Sequence, residues 1–128
     1  MPEPFIYVGT YEVAEGRLDD AKKSLAEHAE FVEANEPRLI SFNFYLDPER
    51  RTITIVQVHP DSASMDFHMQ LIAEHITSAL GDYLGAPVST LVCGHGNETV
   101  DTIRSFSPDK PVSVAAEHIA GFTRTTAA

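Results

Sequence analysis

Six histidines are the side chains most able to move a proton near neutral pH, because imidazole changes charge in that range. Two of them, His68 and His75, fall in a segment from Ala63 to Leu80 where Met65, Met69, Ile72, Ile76 and Leu80 recur at helical spacing. At about 100° per residue, His68 lies about 60° from the axis of that apolar stripe and His75 about 80°. Both therefore border the surface on which the helix packs. His68 suits a general base acting on an acidic O–H or C–H group, and it equally suits a hydrogen-bonded structural histidine on a helix flank. Two turns, about 10 Å of helix, separate His68 from His75, too far for one ion. No His-x-His, His-x₃-His or paired-Cys spacing occurs, so no metal site is expected. The single cysteine, Cys93, excludes an internal disulfide and reads as a small buried hydrophobe.

The helix follows a hairpin. Leu39 to Leu46 and Thr52 to His59 carry the β-branched and aromatic residues of strands. Asp47-Pro48-Glu49-Arg50-Arg51 supplies the turn, and Pro60 ends the second strand. Asp61 or Ser62 can cap the helix. In the first strand Ile40, Phe42, Phe44 and Leu46 alternate with Leu39, Ser41, Asn43 and Tyr45. Asn43 and Tyr45 thus share a face from which they can hydrogen-bond a ligand oxygen or meet water at a subunit interface. Gln57 and His59 share a face of the second strand, as ligand groups or as satisfied polar groups inside the fold. Asn35 either contacts a ligand or caps the turn before Pro37, and the cap is favoured.

Around this unit, Phe5 to Val13 reads as a strand apolar on both faces. Leu18, Ala21, Leu25, Ala29 and Val32 mark an amphipathic helix that stops at Asn35-Glu36-Pro37, with His28 a structural residue on its flank. Tyr83 to Pro87 reads as a loop, Val88 to Cys93 as a strand, Glu98 to Phe106 as a short helix and Val112 to Ala115 as a last strand. The class is α+β, with the ferredoxin-like order β-α-β-β-α-β and an antiparallel sheet. Residues 1–96 form that domain, and residues 97–128 form an extension packing on it or on a partner subunit. Strands apolar on both faces need cover on both. A chain of 128 residues with net charge −10 suits one domain and argues against nucleic acid and anionic membranes as partners. Without a basic start and long apolar run at its N-terminus, a cytoplasmic location is expected.

Asn35-Glu36-Pro37, the two hairpin strands and Asp61-Ser62-Ala63-Ser64-Met65-Asp66-Phe67-His68-Met69 resemble the antibiotic biosynthesis monooxygenase family. The resemblance implies a dimeric α/β barrel, in which two protomers press their sheets together. Arg38 stands where the family has Gly, Gln57 where it has Glu, and His59 where it has an aromatic residue. The tryptophan that several members place in the pocket is absent. The implied activity is cofactor-independent oxygenation of a phenol, quinol or anthrone. His68 would be the base, Asn43 and Tyr45 would assist it, and Gln57, His59 and His75 would stand near the ligand. The alternatives are a non-catalytic module binding a small aromatic molecule and a purely structural homodimer with a filled barrel. Whether a closed cavity between the two sheets contains His68 is the observation that bears most on these readings.

Overall fold

The computed structural model describes residues 3–75, 83–106 and 108–124; the side chains of His75 and Ala86 also lie outside the description. Its elements are β1 (Phe5–Val13), α1 (Leu18–Asn35), β2 (Ser41–Asp47), β3 (Thr52–His59), α2 (Ser62–His75), β4 (Leu84–Cys93), α3 (Asn97–Ser105) and β5 (Val112–Ala115). The strands form one sheet in the order β2-β3-β1-β4-β5. The first three pairings are antiparallel, and β5 joins the edge of β4 in parallel. This is the ferredoxin-like arrangement with one strand added. No helix among the described residues is long and apolar enough to cross a membrane.

Local chemistry explains most element ends. Asp47 closes the hairpin by accepting the backbone N–H of both Glu49 and Arg50 at 3.1 Å. Arg51 takes a positive φ of 57° to complete it. Asp61 caps α2 by accepting the Ser64 N–H at 3.0 Å. Asn35 caps the other helix, donating to the Phe31 carbonyl at 2.8 Å. Two expectations need correction. Tyr83 to Pro87 is not all loop, because β4 starts at Leu84, where Leu84 pairs with Val13 and Pro87 with Tyr11. The register shifts between those pairs admit Gly85 and Pro87 to a strand that would not otherwise take them. β2 starts at Ser41, not Leu39, because the Leu39 N–H turns back to the Glu36 carbonyl. The expected end of α2, from Ile76 to Gly81, lies outside the described residues.

Period-two alternation assigns each strand residue a face. Phe5, Tyr7, Val13, Ile53, Ile55, Gln57, His59, Thr90 and Val92 are buried beneath the helices. Phe5, Met65, Met69, Val92, Val100 and Ile103 pack together where α2 and α3 cross the sheet, and Val13, Ala21, Leu25, Ile53 and Leu84 pack under α1. On the reverse face the register aligns Val56, Val8 and Leu91 in one row and Val58, Ile6 and Cys93 in the next. Leu91 is 41% exposed in the protomer, so this row is an apolar surface.

The joint between β3 and α2 is a buried polar chain. His59, 0% exposed, bonds Gln57 Oε1 through Nε2 at 2.8 Å and Ser64 Oγ through Nδ1 at 2.7 Å. A carbonyl oxygen only accepts, so Nε2–H donates to Gln57 and the bare Nδ1 accepts the Ser64 hydroxyl. Burial, followed by the nearby charge of His68, holds the His59 pKa down at about 3. His28, on α1, is held at about 4 by the same two causes. Both sit below the ordinary 6.5, so the unfolded chain binds more protons than the folded one between about pH 6.5 and the folded values. Stability is then complete above pH 6.5 and is lost as the pH falls through that window. Each residue contributes up to about 1.4 kcal/mol per pH unit inside it. In urea titrations, the stability of wild type minus that of His28→Leu is expected to fall by about that slope between pH 6 and 5. A pH-independent difference would show that His28 is not held neutral.

Candidate functional site

Glu36 is the last turn of α1 closed on itself. Its N–H still reaches the Val32 carbonyl at 2.9 Å, but its φ of −127° and ψ of 76° have left the helix. Pro37 enforces that departure, since the residue before proline is driven toward extended backbone. The consequence is that the Glu36 side chain turns inward and is 4% exposed. Arg38 then pairs with Asp61, the cap of α2, and ties this turn to the start of that helix. The Arg38 guanidinium, first among its causes, holds the Asp61 carboxyl below the usual range. Arg38 therefore has a structural use at the position where the family pattern has Gly.

One and a half turns into α2, His68 meets that carboxylate. Its Nδ1 lies 2.6 Å from Glu36 Oε2, and His68 is 5% exposed. Because a carboxylate can only accept, Nδ1 carries the proton and Nε2 is the nitrogen left for chemistry. The His68 ring stands against Phe42 at 5.4 Å and against His59 at 6.0 Å between centroids. Glu36 Oε1 is buried without a partner among the described residues, so the carboxylate faces His68 alone. Such a pair in the interior is costly to desolvate and seldom stabilises a fold, which makes its presence informative.

His68 lines a cavity of ≈ 430 Å³ between the helices and the sheet. Met65, Met69, Ile72, Ile55, Ile103 and Phe106 give it apolar walls. The polar groups on it are His28, His68, Gln57, Thr90, Tyr7 and Tyr11, and no Lys, Arg, Asp or Glu lines it among the described residues. That composition suits an uncharged, largely apolar ligand with a few oxygens. Tyr7 and Tyr11 are hydrogen-bonded through their hydroxyls at 2.7 Å. Burial raises the pKa of both, so both stay protonated. His28 packs its ring against Phe42 and Phe44, and its Nδ1 has no partner among the described residues. No cluster of three or more His, Cys, Asp or Glu among the described residues could hold a metal ion.

The structure brings together three of the expected site residues. His68, Gln57 and His59 meet, although Gln57 and His59 are occupied with each other. Asn43 and Tyr45 are separated from them. Asn43 pairs with Val56 and Tyr45 with Thr54 on the reverse face, where Tyr45 is 59% exposed. The strand pleat sends them away from the helices, so they cannot share a ligand with His68 in one protomer. For the same reason the His68 chamber lies within the protomer, between helices and sheet, and not between two sheets. The His75 side chain lies outside the described residues. Sequence reasoning missed Glu36, although it quoted Asn35-Glu36-Pro37; the signal was the proline, which turns its predecessor out of the helix. The apolar pattern of Phe5 to Val13 likewise gives no sign of the contact between the Tyr7 and Tyr11 hydroxyls.

No protein-family model matches the chain, and no curated protein matches it. Solved structures do. MupZ from Pseudomonas fluorescens superposes with a TM-score of 0.74 at 21% identity, covering 97% of this chain and 91% of its own. A protein named as an antibiotic biosynthesis monooxygenase from Bacteroides thetaiotaomicron gives 0.56 at 18% identity, covering 66% of this chain and 83% of its own. Another so named, from Caulobacter crescentus, gives 0.55 at 15%, covering 71% and 86%. The chain has the ferredoxin-like α+β fold of the antibiotic biosynthesis monooxygenases.

Proposed function

We propose that the chain is a cofactor-independent oxygenase of small phenolic, quinol or anthrone-like molecules, with His68 as its base and Glu36 as the group that orients and charges it. The observation that carries this is the buried 2.6 Å contact between Glu36 and His68 on the wall of an apolar cavity. Nε2 takes a proton from a substrate O–H or C–H while the Glu36 carboxylate stabilises the imidazolium that forms. The substrate anion passes an electron to O₂, and the two radicals combine to a peroxide anion, which takes the proton back from His68 to become a hydroperoxide. Loss of water leaves one oxygen atom on the substrate as a carbonyl. The substrate supplies the electrons, and the cavity supplies orientation.

A second reading is the same cavity used for binding without turnover. It is favoured by Gln57, which is bound to His59 and cannot act as a second acid or base. A quinol that raises the melting temperature but is never consumed would select it.

We also propose a homodimer. The row of Val56, Val8 and Leu91 on the reverse face is its natural interface, with Asn43 and Tyr45 beside it.

Two measurements test these proposals. In oxygen-electrode assays over a panel of quinols and anthrones, His68→Ala should lower the rate by about 10²-fold or more, and Glu36→Gln by a smaller factor. The double variant should be little worse than His68→Ala, since the pair acts as a unit. Independent, multiplying losses would dissolve the dyad, and no oxygen uptake with any member of the panel would remove the oxygenase assignment. In sedimentation velocity at micromolar concentration the wild type should run as a dimer and Val56→Asp as a monomer. A wild type that sediments as a single protomer rejects the interface.

A further inference from the structure

The buried residues of α1 are Ala21, Leu25, His28 and Val32, spaced as one helical stripe. Three are apolar. The fourth is an imidazole, 6% exposed, at a position where an apolar side chain would pack with no polar atom to satisfy. Its neighbours are apolar too: the Phe42 ring meets it near edge-on at 5.6 Å between centroids, and the Phe44 ring lies 6.0 Å away. Its Nδ1 is buried and makes no hydrogen bond to any described residue. A buried polar atom left unpaired costs more than an ordinary hydrogen bond returns, so this imidazole calls for a partner that the described residues do not supply. His28 lines the same cavity as His68, and a partner can enter there.

Several other polar groups on the cavity already have partners. Gln57 is bonded to His59, and the hydroxyls of Tyr7 and Tyr11 are bonded to one another. His28 is placed to share a ligand with His68. Both imidazoles stand against Phe42, their centroids 5.6 and 5.4 Å from that of the phenyl ring. The two are therefore no more than about 11 Å apart, and two hydrogen bonds of about 2.8 Å take up half of that span. The remainder is the width of one six-membered ring. Burial, followed by the nearby charge of His68, holds His28 at a pKa of about 4, so near neutral pH its ring is uncharged and carries one donor and one acceptor. Such a ring suits a hydroxyl or a carbonyl better than an ion.

We propose that His28 is a second ligand-binding residue of the cavity, hydrogen-bonded to one oxygen of an aromatic ligand while His68 Nε2 takes another oxygen of the same ring. The ligand lies over Phe42, with an imidazole at each end. The ligand class narrows from phenols in general to single-ring aromatics with two oxygens, of which dihydroxybenzenes are the simplest. A phenol with one oxygen would satisfy His68 and leave His28 unpaired, so the cavity discriminates against it. This inference rests on the cavity being the ligand site and on His68 meeting the ligand, but not on the later reaction with O₂.

The test is calorimetric titration of the full chain under argon, so that no turnover enters, with hydroquinone, resorcinol and catechol against phenol and 4-methylphenol. The methyl group matches a hydroxyl in size and makes no hydrogen bond. Wild type should bind at least one of the three diols about fivefold more tightly than 4-methylphenol, the scale of one hydrogen bond between neutral groups. In His28→Phe that preference should fall to within about twofold, while the affinities for phenol and 4-methylphenol hold or rise. His28→Gln, which keeps a donor and an acceptor, should retain part of the preference and serves as the reading if His28→Phe does not fold. A wild type that prefers no diol, or that binds none of the five, overturns the inference. So does a preference that survives in His28→Phe, which would place the second oxygen on another group. A His28-dependent preference without oxygen uptake in air would sustain this inference while removing the oxygenase assignment. His68-dependent oxygen uptake with no His28-dependent preference would do the reverse.

Discussion

A carboxylate taken out of water must find a positive or proton-donating partner, and Glu36 finds one residue, His68. The two are 32 positions apart, so their contact fixes where the end of α1 lies against the flank of α2. Much of the local structure serves that placement. Pro37 turns Glu36 inward, the pairing of Arg38 with Asp61 ties the turn to the cap of α2, and Ser64 anchors the same helix to His59. The Glu36–His68 and His59–Ser64 links satisfy groups that burial would otherwise strand. Removing His68 would leave an uncompensated buried charge, at a cost of about 3–5 kcal/mol. A hydrophobic pair of similar size would be as stable or more so. The dyad is therefore better explained by proton chemistry than by folding.

The second constraint is the two-residue period of the strands. It sorts β2 and β3 into a helix-facing set, with Phe42, Ile55, Gln57 and His59, and an outward set, with Asn43, Tyr45, Val56 and Val58. The outward set cannot reach His68, and the helix-facing set cannot reach a second subunit. The proposed chemistry and the proposed assembly are thus separated by the thickness of one sheet. A substitution on the reverse face can disturb association while leaving the cavity walls in place, and the converse holds for the cavity.

The sequence made the architecture legible because its signals were local and redundant. The stripe of Leu18, Ala21, Leu25 and Val32, the Asp47 turn and the alternation of Thr52 to His59 each specify an element, and each agrees with its neighbours. β4 was read short because Gly85 and Pro87 carry turn chemistry that a register shift overrides. His68 was legible from its place on the helix flank. Its partner was not, since Glu36 sits at the end of a run of charged, exposed residues and carboxylates are rarely buried. Asn43 and Tyr45 were read as ligand groups or as polar groups at a subunit interface, because polarity alone does not say which side of the sheet is the inside. The tyrosines show the opposite failure. Their apolar bodies fit a core so well that the hydroxyl pair went unnoticed.

That pair shows why the cavity has the character it does. A core of this size could fill its centre with Leu or Ile and gain stability, yet β1 places Gly9 there and lays a phenol across the gap. Glycine in a strand interior costs conformational entropy and contributes no packing, so its presence needs a compensating contact. The compensation is a polar one, a hydroxyl carried to Tyr11 across an otherwise apolar floor. An empty or merely greasy pocket would not require it. On the opposite wall, the bare nitrogen of His68 presents the acceptor that the floor lacks. A cavity that carries the His68 nitrogen and a pair of phenol hydroxyls, with no Lys, Arg, Asp or Glu among the described residues of its lining, discriminates by where the oxygens of a neutral ligand sit and not by its net charge.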